Sequence, residues 1–232
     1  MKSQKVKKKM KIDLRSNIKE VSKGLSRTQK KQIPFAVSKT LNQLAFELSK
    51  KKGTGVLGKA TTKKFEKKTG KGATKFTQKN FFFDKSSKRS LTATVFWDDS
   101  RADYMKFQVF GGTRFPNKRA IRVSTRHSNR YLDAFGNFKK GAIDEMMQDK
   151  SKFFSGSPKG AKKYSEGIWE RYGRKTKKGG QKIRMVAAYE KDAKYKPLFP
   201  FGKIADTYVF SSKHGFQRKF LKNLADAIAD GK

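Results

Sequence analysis

The sequence has no cysteine, so it can form neither a disulfide nor a thiolate metal site, and the redox compartment stays open. Acidic residues are scarce, 19 against 58 lysines and arginines. Apolar residues make up only 35% of the chain, a low share for a compact domain, and no apolar run approaches the length of a membrane span. The N-terminus is basic, but no apolar segment follows it, so it does not read as a secretory signal. Histidine occurs only twice, as His127 and His214, each in polar or basic surroundings without a second ligand at metal spacing. With no cysteine, a nucleophile has to be serine or threonine, and no strand–turn–helix elbow presents one. The reading is a non-enzyme without cofactor or metal.

What is present is positive charge and phenylalanine. The formal net charge is +39 and the isoelectric point about 10.4. Such a chain repels itself and attracts polyanions, with nucleic acid first and an anionic membrane surface or an acidic protein next. Lysine outnumbers arginine, which favours point-charge attraction over bidentate base reading. Twenty phenylalanines argue against full disorder, so a modest Phe-rich core inside a cationic shell is expected.

Residues 1–12 are rich in lysine and read as a basic arm, carrying Lys5, Lys7, Lys8, Lys9 and Lys11. A short helix is expected from about Leu14 to Val21. The strongest local signal is Ile33, Val37, Leu41, Leu44 and Leu48 at helical spacing, which predicts a helix from Pro34 to Lys52. Pro34 suits its first turn, Lys50, Lys51 and Lys52 its last, and Gly53 the position beyond. Residues 53–59, Gly-Thr-Gly-Val-Leu-Gly-Lys, have the letters of a dinucleotide loop but follow a helix, and Ala60 stands where a phosphate loop needs a hydroxyl. They read as flexible, the start of a long Gly/Lys/Phe-rich loop over 53–90 that carries Lys63, Lys64, Lys67 and Lys68. Within it, Phe81, Phe82 and Phe83 are expected to dock on neighbouring subunits, because three consecutive phenylalanines do not all stay solvated. Lysines interleaved with aromatics are also compatible with stacking on single-stranded nucleic acid.

Ser90 to Trp97 alternates as a strand, Asp98-Asp99-Ser100 is helix-cap chemistry, and a helix is expected over 101–109, ending at Gly111-Gly112. Strands follow at 119–124, 167–173 and 183–189, with a helix near 141–150, a glycine-serine turn over 151–160 and a basic hairpin tip at 174–178. From Phe201 an i+4 spacing predicts one long C-terminal helix, with an interruption near Gly215. The expected fold is α+β. A small antiparallel sheet packs against the Pro34–Lys52 helix and the C-terminal helix, as one domain over 29–232 after an arm and short helix over 1–28.

Several segments, in order, resemble tailed-phage tail completion proteins of the lambda minor tail protein Z type. They are Pro34-Phe35-Ala36 with Lys39-Thr40-Leu41-Asn42, then Ala73-Thr74-Lys75-Phe76-Thr77, then Tyr104-Met105-Lys106-Phe107-Gln108 into Gly111-Gly112-Thr113-Arg114. Lys152-Phe153-Phe154-Ser155-Gly156, Gly160 and Gly167-Ile168-Trp169-Glu170-Arg171 follow in sequence. The resemblance spans roughly residues 30–230. The chain lacks the family's proline before Thr74, and its basic arm is foreign to the pattern. The resemblance implies a virion structural protein of the neck, assembled in the host cytoplasm as a homo-oligomeric ring, a hexamer or dodecamer. Its implied partners are a portal-side connector or adaptor, a tail tube or terminator protein, and packaged double-stranded DNA held without sequence preference, with no membrane. On that reading the lysines of residues 2–11 and 50–71, those named above among them, face DNA or an acidic connector. Gly111, Gly112, Arg114, Trp169 and Arg171 join Phe81–Phe83 as subunit contacts, with Gly111 and Gly112 shaping a tight loop that Arg114 anchors to a carboxylate of a neighbour or to its own sheet. Two other readings are a monomeric, non-specific nucleic-acid-binding protein and a metal-dependent nuclease built on Asp98, Asp99 and Asp103.

Overall fold

A computed structural model describes residues 11–15, 26–50, 53–116, 120–158, 166–175 and 180–230. The chain is mixed α+β. Among the described residues it forms eight α-helices and nine strands, the strands in three small antiparallel sheets. It falls into two compact units, residues 1–109 with 197–232, and residues 110–196. The single domain expected over 29–232 is thus divided, residues 110–196 forming an insertion in the first unit that begins beside the Gly111-Gly112 turn.

In the first unit, α1 runs Arg27–Ser49 and buries Val37, Leu41, Leu44 and Leu48, the stripe that predicted it. Each such side chain contributes on the order of 2 kcal/mol through burial. The helix begins about two turns before the expected start, so Pro34 lies inside it and forgoes one backbone hydrogen bond. It also ends at Ser49, before the lysines assigned to its last turn. Thr40 and Ser49 are buried, and each hydroxyl donates back to a carbonyl four residues earlier, at 2.7 Å.

The helix expected from Leu14 starts within a strand. β1, Lys11–Arg15, pairs antiparallel with β3, Thr92–Trp97, placing Leu14 opposite Ala93. The alternation of Ile12 and Leu14 with polar neighbours suits that pairing. Residues 16–25 lie outside the described residues.

The 53–90 segment is not a loop. It forms α2 (Val56–Thr69), α3 (Lys75–Gln78) and β2 (Phe81–Asp84), and β2 pairs with β3. Leu57 and Thr61 anchor one face of α2, and the Thr61 hydroxyl donates to the Leu57 carbonyl at 2.7 Å. The expected 101–109 helix is two short ones, α4 (Asp99–Ala102) and α5 (Met105–Phe110).

The C-terminal helix is also two, α7 (Phe201–Val209) and α8 (Phe216–Ala229). Gly215 caps α8 where a Cβ would stand 2.2 Å from the Ser211 carbonyl oxygen, so the break admits only glycine without rearrangement. Buried Asn223 of α8 donates to Thr40 Oγ1 and Gln43 Oε1, both at 2.9 Å, tying α8 to α1. The core gathers Val37, Leu41, Leu44 and Leu48 with Val95, Trp97, Phe81, Phe199 and Phe201.

The second unit opens with β4 (Gly112–Arg114), which pairs with β9 (Ala193–Tyr195), so entry and exit strands are zipped together. A four-stranded sheet has the order β5-β8-β7-β6, with β5 at Ile121–Ser124, β6 at Phe153–Gly156, β7 at Gly167–Tyr172 and β8 at Lys182–Glu190. β6 replaces the turn expected there: Phe153 is buried and the strand pairs along β7. The helix α6 (Ala142–Gln148) contributes Ala142 and Met146 to a small core with Phe153, Ile168 and Val186.

Candidate nucleic-acid interface

The connection from α1 to α2 is set by three glycines. Gly53 has φ of 74°, a conformation that disfavours other residues. A Cβ on Gly55 would lie 2.7 Å from the Leu48 carbonyl oxygen, and one on Gly58 would lie 2.6 Å from the Gly53 oxygen. All three are buried. The helix does start here, and its glycines pack against the end of α1 and against Gln78. The glycines allow close backbone packing. They are neither a nucleotide loop nor the flexible loop expected.

This tight junction projects a helix that is basic on its outer side. Lys59, Lys63, Lys64, Lys67 and Lys68 are all exposed on α2. Between residues 50 and 80 there are eleven lysines and one acid, Glu66. Among the described residues none of the five α2 lysines is ion-paired. Lys59–Lys63, Lys63–Lys67 and Lys64–Lys68 are like-charge pairs at i,i+4, each unfavourable by about 0.2–0.5 kcal/mol. Lys67 and Lys68 gain back part of this in the last turn, at the negative end of the helix dipole. Gly70, left-handed at φ 70°, closes the helix by donating to the Glu66 carbonyl at 2.9 Å. Lys71, Lys75 and Lys79 continue the exposed cationic surface, with Phe76 half exposed among them. Lys75 and Lys79 were missed because the segment read as a loop, in which no lysine face exists.

The other expected contacts divide. Lys5, Lys7, Lys8, Lys9, Lys51 and Lys52 lie outside the described residues. Lys11 begins β1, and Lys50 is exposed with its Nζ 6.0 Å from the centre of the Phe46 ring. Phe81 is buried in its own unit's core, where it stacks on Phe201 at 6.2 Å, so it is not available to a neighbour. Phe82 and Phe83 are half-buried against Phe96 and Phe46. Pairing of β2 with β3 and burial of Phe81 account for part of the apolar run, while Phe82 and Phe83 keep part of their surface exposed. Gly111 and Gly112 both have positive φ, 72° and 112°, and Arg114 is exposed on β4.

Trp169 and Arg171 are engaged within the second unit. Trp169 donates to the Gly156 carbonyl at 3.0 Å and stacks on Phe154. Arg171 donates to the carbonyls of Lys150, Ser151 and Phe153. The three aspartates weighed for a metal each have separate work. Asp98 caps α4 through the Ser100 amide at 3.0 Å, Asp99 accepts from Trp97 Nε1 at 2.5 Å, and Asp103 pairs with Lys106 at 2.6 Å. Among the described residues no three His, Asp or Glu side chains converge as a metal site. His214 stacks on Tyr208, and His127 accepts from Arg126 Nε at 3.1 Å.

On α1 a groove of about 440 Å³ is floored by Phe35, Phe46 and Phe83 and flanked by Lys39 and Lys85. The chain matches no protein-family model, no curated protein and no solved structure.

Proposed function

We propose that the protein is a non-enzymatic structural subunit of a tailed-phage neck, forming a homo-oligomeric ring at the head–tail junction and turning the α2 lysine face toward packaged DNA. The observation that carries the polyanion part is the set of five exposed, unpaired lysines on α2, whose mutual repulsion a phosphate backbone relieves. The ring and its place rest on the ordered resemblance described above. Neighbouring subunits and the connector would use exposed apolar surface such as the Phe35–Phe46–Phe83 groove, in place of the buried Phe81.

Size-exclusion chromatography with light scattering, with and without duplex DNA, tests the reading. A discrete oligomer of six or twelve chains that takes up DNA, seen as rings by electron microscopy, is the expected result. A protein that stays monomeric at all concentrations, with and without DNA, contradicts it. The second reading, a monomeric non-specific binder, is favoured by the same lysine face, because that face lies on one helix and needs no neighbour to complete it. It predicts a one-to-one complex with DNA in the same experiment.

A further inference from the structure

Glu170, in the middle of β7, is only 1% exposed. Three cations meet its carboxylate. Oε1 accepts from the Arg130 guanidinium and from the Tyr131 hydroxyl at 3.3 Å, and lies 3.6 Å from Lys152 Nζ. Oε2 accepts from Arg184 Nε at 2.8 Å. A register shift between Ile168 and Trp169 makes this possible. Beyond it Glu170 faces Arg184, whereas the register of Ile168 with Ala187, continued unchanged, would set Arg184 against Arg171.

One carboxylate balances one cation, so this cluster holds a surplus of positive charge. Each cation is also laid over a ring: Arg130 on Tyr131 at 4.7 Å, Lys152 on Phe153 at 5.5 Å and Arg184 on Tyr172 at 5.0 Å. The cations are therefore held in place, yet their side chains remain 47%, 45% and 29% exposed. Arg184 spends only Nε on Glu170, and its terminal amino groups have no acceptor among the described residues. A buried acid that orders several partly solvated donors is suited to an anion with several oxygens, and guanidinium forks match phosphate oxygens in pairs.

We infer that Arg130, Lys152 and Arg184, ordered by Glu170, form a phosphate-binding site on the second unit. The ligand is a phosphate group, either of a nucleic-acid backbone or of a free polyphosphate. The site is independent of α2, so replacing the α2 lysines leaves it intact.

Calorimetric titration of the full-length protein with pyrophosphate at low salt tests it. Lys152→Gln and Arg184→Gln each weaken binding about tenfold, the loss expected for one charge-assisted contact. Lys191→Gln, which removes the same charge from an exposed turn, leaves it unchanged. Glu170→Gln raises the net charge yet weakens binding, because the donors lose their organiser. Should that variant not fold, Lys152→Gln decides, since Lys152 lies 3.6 Å from Glu170 and its loss leaves the core in place. Equal losses in Lys152→Gln and Lys191→Gln, tighter binding by Glu170→Gln, or no pyrophosphate binding at all would overturn the assignment. Competition between pyrophosphate and a short DNA duplex identifies the backbone as the source of the phosphate, and its absence identifies free polyphosphate.

Discussion

Single side chains join helices that are far apart in sequence. Glu47 of α1 accepts from the Tyr208 hydroxyl of α7 at 2.7 Å and from Lys219 of α8 at 2.8 Å. Burial, then the adjacent Glu47 carboxylate, holds the Tyr208 phenol well above its usual range. Burial also raises Tyr104, although its 2.6 Å hydrogen bond with Thr77 opposes the shift. In both, the folded state prefers the neutral phenol. Their contribution to stability is therefore complete below the unfolded value of about pH 10 and is lost as pH rises through the folded values. Alkaline titration followed at the phenolate absorbance should show ionisation delayed beyond pH 10 and coupled to unfolding. Tyr208→Phe should delete one late-ionising group and make the fall of stability above pH 10 shallower. A fall as steep in Tyr208→Phe as in the native protein would show that Tyr208 ionisation does not couple to folding.

At the scale of elements, helix α1 and strand β3 were legible because apolar spacing and burial coincide in them. The buried positions of β3, Ala93, Val95 and Trp97, are the alternating ones. Helix α2 was not legible. Its apolar face is only Leu57 with part of Val56, Ala60 and Phe65, and three glycines precede or enter it. Those glycines answer to atoms of Leu48, Lys50 and Gln78, which no local pattern announces.

Gly58→Ala separates the two explanations. Helix propensity alone predicts stabilisation by about 1 kcal/mol. The Gly53 oxygen 2.6 Å from the new methyl group predicts destabilisation by about 1–3 kcal/mol instead. A lower urea midpoint with unchanged m-value is the expected outcome. A higher midpoint would mean that the junction has room. The Glu170 cluster was illegible for a related reason: Arg130, Lys152 and Arg184 lie 14 to 40 residues away, and a bulge sets which of them Glu170 faces.

At the scale of the whole chain, the insertion leaves and re-enters the first unit at neighbouring points. Leu198 and Phe199 amides both donate to the Gln108 carbonyl, at 2.7 and 2.8 Å. Replacing residues 110–196 by a short Gly-Ser linker should leave the first unit folded, with a cooperative thermal transition and strong helical circular dichroism. Loss of that transition would show that the first unit cannot fold without the insertion.

The net charge of +39 gives general attraction to polyanions, whereas α2 gathers five exposed lysines on one helix face. The salt dependence of duplex DNA binding distinguishes the two. Replacing Lys59, Lys63, Lys64, Lys67 and Lys68 by glutamine should flatten the slope of log K against log salt by about 4–5, since each of the five phosphate contacts contributes about 0.9. A slope that keeps its native value in this variant would contradict the assignment of α2 to DNA.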